Sequence, residues 1–338
     1  MKLLVTGGAG FIGSNFIRYI LNKYPDYKII NYDKLTYAGN PDNLRDVEKD
    51  KRYKFVKGDI CDFKLVNKHM KKADAVVNFA AETHVDRSIL NAGLFIRTDV
   101  NGTFSLLESA RANKIGKFVH ISTDEVYGSI LKGSFSEESP LKPNSPYSAA
   151  KASSDMLVRS YFTTYGVPAV ITRCSNNYGP FQYPEKIIPL FVTNAIDDQK
   201  LPLYGDGKNV RDWLYVADHC RAVDIALHKG KNGEVYNIGG GVEMTNIELT
   251  RKVLKIMKKP VSLIKKVSDR PGHDRRYSID CSKIMKLGYR PLYTFEKALE
   301  ETVKWYIDNE DIWRRLKNRN YKKYYAFQYN KYNRSEII

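Results

Sequence analysis

Short apolar, β-branched runs recur at residues 2–6, 28–32, 54–56, 75–79, 118–122, 169–172 and 235–238, and longer stretches with helical periodicity separate most of them. Runs of this length predict strands, and their alternation with helices predicts an α/β fold built on a doubly wound parallel sheet covered on both faces. In such a sheet ligands sit beyond the carboxyl ends of the strands. The runs at 75–79 and 118–122 pass directly into polar residues, Ala81-Glu82 in one case and Ser122-Thr123-Asp124-Glu125 in the other. Chemistry is expected there.

After residue 176 the alternation loses its regularity, with Pro180, Pro184, Pro189 and Pro202 punctuating the chain, and a helical stretch from Val216 to His228 leads back to a strand. The pattern predicts a discontinuous arrangement: residues 1–176 plus 213–240 form the sheet domain, 177–212 plus 241–315 form a smaller lobe, and 316–338 form a basic, Tyr-rich tail. No Gly/Ser linker or internal repeat separates the parts, so a tight interface with a cleft between them is expected.

Composition narrows the class. With 338 residues, 43% of them hydrophobic, the chain can bury a substantial core. Its four cysteines, Cys61, Cys174, Cys220 and Cys281, are widely spaced, and the six histidines show no metal-ligand spacing. Neither a disulfide framework nor a metal site is expected, and a reducing cytoplasm fits. No apolar run approaches the roughly 18 residues of a membrane span, and the first residues turn Gly-rich before a signal-peptide core could form. The net charge of +17 raises nucleic acid as a partner, but most of it is scattered and reads as solvated surface; a substrate carrying a pyrophosphate also suits a positive field.

The first predicted strand runs into Gly7-Gly8-Ala9-Gly10-Phe11-Ile12-Gly13, and a helical pattern follows. A side chain at the middle glycine of the G-x-x-G-x-x-G spacing would keep a pyrophosphate from the backbone N–H groups, and the helix start supplies partial positive charge. The strand–loop–helix context therefore predicts a Rossmann-like dinucleotide site. Asp33 stands about twenty residues further on, where an acid can hydrogen-bond both ribose hydroxyls and repel a 2′-phosphate, which favours NAD over NADP. Asp59-Ile60, after Gly58, could reach the adenine or simply make a turn.

Tyr147 and Lys151 share one helix face if a helix starts at Pro146. A neighbouring ammonium is expected to lower the phenol's pKa from about 10. Between this pair and the glycine loop lies Ser122-Thr123-Asp124-Glu125-Val126-Tyr127-Gly128. Such an acidic stretch is ordinarily a solvated turn. Hydride transfer alone needs no carboxyl pair, whereas elimination of water needs both a base and an acid.

The Tyr-x-x-x-Lys pair downstream of the glycine loop resembles the extended short-chain dehydrogenase/reductases. With residues 31–40, Ala81-Glu82-Thr83-His84-Val85-Asp86-Arg87-Ser88, 121–128 and Asp269-Arg270-Pro271-Gly272-His273-Asp274-Arg275-Arg276-Tyr277, the chain resembles the dTDP-glucose 4,6-dehydratase family to about residue 310. Related epimerases usually lack the Asp-Glu pair, and related decarboxylases keep only the Glu. The resemblance implies that Tyr147 takes the 4-hydroxyl proton, Lys151 tunes Tyr147 and holds the ribose, Thr123 orients the C4 oxygen, Glu125 removes the C5 proton and Asp124 protonates the leaving 6-hydroxyl. It implies NAD contacts at Gly7, Gly10, Phe11, Ile12 and Gly13, at Asp33, Lys34, Leu35 and Thr36, at Asp59 and Ile60, at Ala80, Ala81, Thr83, Thr98 and Asn177, and at Tyr147 and Lys151. For dTDP-glucose or a close sugar nucleotide it points to His84, Thr123, Asn176, Lys186, Tyr204, Arg211, Asn246, Arg270 and His273. Arginine forks match phosphate oxygens in a bidentate geometry. It further implies a homodimer through helices near 97–113 and 148–165, whose apolar stripes by themselves suggest only core packing. An NAD-dependent epimerase or decarboxylase of the same fold stays open, as does an idle NAD-binding scaffold with a basic tail.

Overall fold

A computed structural model describes the chain through residue 331, with side chains described through 329. Among the described residues the strands are, in chain order, β1 (Lys2–Thr6), β2 (Lys28–Asp33), β3 (Tyr53–Lys57), β4 (Ala75–Asn78), β5 (Lys117–Thr123), β6 (Ala169–Cys174), β7 (Asn176–Tyr178), β8 (Leu201–Tyr204), β9 (Val210–Tyr215), β10 (Val235–Ile238), β11 (Glu243–Thr245) and β12 (Ile264–Val267). Seven of them make one sheet in the order β10-β6-β5-β4-β1-β2-β3, with every neighbour parallel. The seven runs singled out by their hydrophobic pattern are these seven strands. The strand order reverses between β1 and β4, which places the ligand crevice at their carboxyl ends.

Both faces of the sheet are covered, as runs apolar on both sides require. On one face Phe16, Ile17 and Ile20 of helix Phe11–Lys23 and Val216, Cys220 and Val223 of helix Val216–Lys229 pack on Leu3, Val5 and Val77. On the other, Val66 and Met70, Leu106 and Leu107, and Val158 and Tyr161 come from three helices, Phe63–Met70, Gly102–Ala112 and Pro146–Tyr165, and meet Leu4, Val76 and Phe118. At about 25 cal/mol per Å² of apolar surface, burial on this scale is the main force holding the sheet and its helices together.

A second apolar cluster gathers Tyr178, Phe191, Leu203, Trp213, Leu249, Phe295 and Trp313. Two small sheets flank it: β7 runs parallel to β9, β9 pairs antiparallel with β11, and β8 pairs with β12. Beyond residue 316, the basic, Tyr-rich stretch forms helix Arg319–Lys331; its last seven positions, 332–338, lie outside the described residues.

Candidate active site

The glycine loop is built as a close backbone approach. Gly7 has φ +70°, and a Cβ there would lie 2.6 Å from the backbone nitrogen of Ala80; one on Gly13 would lie 2.4 Å from the Gly7 carbonyl oxygen. The helix begins at Phe11 without a side-chain cap, so its first N–H groups face the crevice. Asp33 ends β2, and its carboxylate accepts from the backbone N–H of Ala9 at 2.9 Å and of Leu35 at 2.7 Å. Burial pushes this carboxyl upward while those two bonds oppose the rise.

A cavity follows the carboxyl edge of the sheet. Gly7, Gly10, Phe11, Ile12 and Gly13 line one end, with Asp33, Lys34, Thr36, Asp59 and Ile60 around them. Ala80, Ala81, Thr83, Thr98 and Asn177 line its middle, and Thr123, Asp124, Glu125, Tyr147 and Lys151 its far end. Among the expected cofactor positions only Leu35 is absent from this wall. Its backbone turns at φ 58° and its N–H serves Asp33 instead.

The phenol and the ammonium are delivered by helix Pro146–Tyr165. Proline occupies its first turn, and Ser145 and Ser148 form a reciprocal capping box. The helix is tied down by Ser154 Oγ donating to the Asp99 carbonyl at 2.6 Å and by the buried Arg173–Asp155 pair at 2.9 Å. Lys151 Nζ donates to the Ile121 carbonyl at 2.7 Å. The expected lowering of the Tyr147 pKa is not what the protein alone produces. Burial, followed by Glu125, Cys174 and Asp99, pushes the phenol well above its ordinary value, and the hydrogen bond with Thr123 only partly opposes this. Sequence spacing located the ammonium but carried no measure of desolvation.

The two acids sit in a single turn at the end of β5. Thr123 caps it, its hydroxyl accepting from the Glu125 N–H and donating to Asp124 Oδ1, both at 3.2 Å. Their surroundings differ. Asp124 is almost wholly buried, its Oδ2 makes no hydrogen bond, and burial, Glu125 and Asp212 push its pKa well up. Glu125 is half-buried; burial raises it too, but Arg270, Lys186 and Arg211 pull the other way. Burial and two acidic neighbours favour the protonated form of Asp124 against Arg211 and the Thr123 bond, whereas three cations act on Glu125 in favour of its charged form.

A second cavity continues from the first, and Glu125, Asn176, Glu185 and Lys186 belong to the walls of both. Every expected substrate residue other than Thr123 lines it: His84, Asn176, Lys186, Tyr204, Arg211, Asn246, Arg270 and His273. Arg270 Nη1 is held by Asp86 at 3.2 Å and its Nε makes no hydrogen bond. Arg211 is buried, lies 4.2 Å over the Tyr277 ring, and donates to the carbonyls of Val210 and Asp274. A guanidinium desolvated against carbonyls and a ring, with burial lowering its pKa, is offset best by a bound anion. Lys186 Nζ donates to the Thr83 carbonyl at 2.8 Å. Burial and the two arginines hold His273 down to about 4, and its Nδ1 lies 2.5 Å from Asp269 Oδ1.

Several site residues were not singled out individually by sequence reasoning, although Glu82 falls in the 80–84 stretch expected along the cofactor. Glu82 and Glu185 line the first cavity. Glu185 accepts from Tyr37 at 2.8 Å and Arg87 at 2.9 Å, and Asp86 anchors both Tyr204 and Arg270. Glu82 and Asp86 fall inside the 81–88 stretch quoted above, which was the available signal. Glu185 precedes Lys186 with no pattern of its own.

The residues present suit a dinucleotide: the glycine loop leaves room that a Cβ would fill, Asp33 closes the strand end, and the buried Ser175 Oγ and Asn176 Oδ1 make no hydrogen bond on the cavity wall. A family model described as GDP-mannose 4,6 dehydratase matches residues 4–302. The dTDP-glucose 4,6-dehydratase of Streptomyces niveus is 53% identical over 323 residues, covering 94% of this chain and 96% of that protein. The crystal structure of DesIV, a dTDP-glucose 4,6-dehydratase from Streptomyces venezuelae with NAD and TYD bound, matches with a TM-score of 0.92 and 54% identity, covering 94% of this chain and 100% of that one. A UDP-glucuronic acid 4-epimerase from Bacillus cereus with UDP-glucuronic acid and NAD shares the fold at TM-score 0.86 and 30% identity, covering 91% and 99%.

Proposed function

Since the chain belongs to the dTDP-glucose 4,6-dehydratase family, we propose that it is an NAD-dependent hydro-lyase converting dTDP-glucose to dTDP-4-keto-6-deoxy-glucose. The observation that carries this reading is the unequal carboxyl pair beside Tyr147: an epimerase needs neither acid, whereas elimination needs both. NAD, when bound, accepts a hydride from C4 and returns it at C6. Tyr147 Oη, ionised to the phenolate with the positive charge beside it, takes the 4-hydroxyl proton, and Thr123 Oγ1 orients the C4 oxygen. Glu125 removes the C5 proton, made acidic by the 4-keto group, Asp124 gives its proton to the departing 6-hydroxyl, and Glu125 hands a proton back to C5 as C6 is reduced. Lys151 holds the nicotinamide ribose and supplies positive charge beside Tyr147. Asp33 takes the adenosine ribose, and the loop of Gly7, Gly10 and Gly13 the pyrophosphate.

Arg211 and Arg270 grip the nucleotide's diphosphate, assisted by Lys186, Asn176, Asn246 and His273. The sheet domain, 1–176 plus 213–240, thus carries the cofactor, and the lobe, 177–212 plus 241–315, the substrate. Incubation with dTDP-glucose should generate the alkali-induced absorbance of a 4-keto product; recovery of dTDP-galactose instead would mark an epimerase. Glu125→Gln should slow C5 deuterium exchange about 100-fold or more while NAD still binds, and unchanged exchange would remove Glu125 from this role.

The working unit is a homodimer, and its compartment the cytoplasm, where four unpaired cysteines stay reduced. Leu94, Ile96, Phe104 and Met156, on the segments around 97–113 and 148–165, are each 46–50% exposed, an apolar face that association would cover. Phe104→Glu should convert a dimer in sedimentation to a monomer; identical sedimentation of mutant and wild type counts against that face. No helix among the described residues is long and apolar enough to cross a membrane.

A further inference from the structure

The segment from Gly179 to Lys186 leads from the sheet domain into the lobe, and Gln182, Tyr183, Glu185 and Lys186 within it line the first cavity. It is pinned to the sheet domain at three places. Asn15, on the helix that follows the glycine loop, donates its Nδ2 to the Pro180 carbonyl at 3.1 Å, and Lys186 Nζ reaches the Thr83 carbonyl, after β4, at 2.8 Å. Glu185, 6% exposed, is the third pin, and its two carboxylate oxygens serve different partners: Oε1 accepts from Tyr37 Oη at 2.8 Å and Oε2 from Arg87 Nε at 2.9 Å.

Tyr37 belongs to the loop after β2, in which Lys34, Thr36, Ala38 and Gly39 line the same cavity, and Arg87 to the short helix Val85–Leu90 after β4. In the sheet β1 lies between β2 and β4, and β1 is the strand that ends in the glycine loop. One buried carboxylate therefore joins the two segments that flank the glycine loop, and the 179–186 segment closes the cavity at the carboxyl end of β1. Ring contacts reinforce the joint. The Arg87 guanidinium lies 3.8 Å over the Tyr37 ring and 4.0 Å over the Tyr324 ring, and Tyr183 meets Tyr37 edge-on at 5.3 Å. Loss of either partner of the Glu185–Arg87 pair would leave the other charge desolvated and unmatched.

The proposed reaction gives this closure a task. The hydride taken from C4 must return to C6 of the same sugar, so loss of the cofactor midway would strand an oxidised sugar. We propose that Glu185 is a positioning residue: by joining Tyr37 to Arg87 it holds the 179–186 segment as a strap across the dinucleotide, so that the cofactor is retained from one turnover to the next. This rests on the NAD-dependent reading above, while its test follows cofactor release and not product.

The test uses the full chain loaded with labelled NAD, freed of unbound cofactor and chased with unlabelled NAD. Glu185→Gln keeps the shape but loses the charge that faces Arg87, and Tyr37→Phe keeps the ring against Arg87 but loses the hydroxyl. Hydrogen bonds to charged groups set the expected size: release should be about 10- to 100-fold faster in Glu185→Gln and about 3- to 30-fold faster in Tyr37→Phe. During turnover of dTDP-glucose both variants should also shed NADH into solution, read as fluorescence of the free cofactor. Arg314→Ala, which breaks the exposed Arg314–Asp197 pair of the lobe at 2.8 Å, should release NAD at the wild-type rate. Wild-type release in folded Glu185→Gln and Tyr37→Phe would overturn the proposal, as would equal acceleration in Arg314→Ala, which marks a general loosening of the lobe. Should Glu185→Gln not fold, Tyr37→Phe, which removes one hydroxyl, decides alone. A wild type that turns over no dTDP-glucose yet releases NAD faster once Glu185 is replaced would overturn the dehydratase reading and leave the strap standing.

Discussion

Asp99 offers a quantitative test of how burial shapes this site. Its Oδ1 accepts the Glu82 N–H at 2.8 Å, its Oδ2 is buried without a hydrogen bond, and its chain neighbour Thr98 lines the first cavity. Burial raises its pKa from 3.8 to about 7, with Lys151 and the Glu82 N–H opposing. Because the folded value is the higher one, the stability this carboxyl allows is full below about pH 4 and is lost as pH rises toward and through 7. The whole effect is about 4 kcal/mol at about 1.4 kcal/mol per pH unit, and linkage puts roughly three-fifths of it between pH 5 and pH 8. Asp99→Asn keeps the acceptor for Glu82 and removes the titration. In urea unfolding of NAD-free protein the variant should be more stable than wild type by about 2 kcal/mol at pH 5 and by about 4 kcal/mol at pH 8. A gap between the two proteins that is the same at both pH values would refute the assignment of a buried, titrating carboxyl here.

Asp124→Asn has no proton to give to the leaving hydroxyl and should cut dehydration about 100- to 10,000-fold. In wild type the active acid form is lost as pH rises through its elevated pKa, so kcat should decline on the alkaline side; persistence of that limb in the variant's residual rate would assign it to another group. Gly13→Ala would put a methyl against the backbone of Gly7 and Gly8, at a cost of about 1–3 kcal/mol, and should weaken NAD in equilibrium titration. Wild-type NAD affinity would show that the loop can shift without penalty.

The sheet was legible because its signal is local: each strand is a short apolar run between polar breaks, and all seven joined one parallel sheet. The glycine loop, Asp33, the Asp124–Glu125 turn and the Tyr147–Lys151 pair were equally legible, since loop chemistry and i,i+4 spacing are written in neighbouring residues. What escaped depends on distant packing. The direction of the Tyr147 shift is set by desolvation and by Glu125 and Asp99, which come from other segments. Asp99 sits in a π-helical turn, Ile96–Asn101, within a stretch whose periodicity reads as ordinary helix. The stretch beyond 316 looked like a charged tail because its tyrosines repeat every four residues among lysines, and only the fold shows which face is covered.

The wall that Glu125, Asn176, Glu185 and Lys186 contribute to both cavities makes the crevice a ruler. A molecule anchored at Arg211 and Arg270 meets Tyr147 only after crossing Glu125, so the span between its charged end and its reactive carbons is gauged before any bond breaks. Compounds one phosphate shorter or longer would present the wrong carbon to the phenol, and selectivity by length would then operate independently of how well the base is recognised.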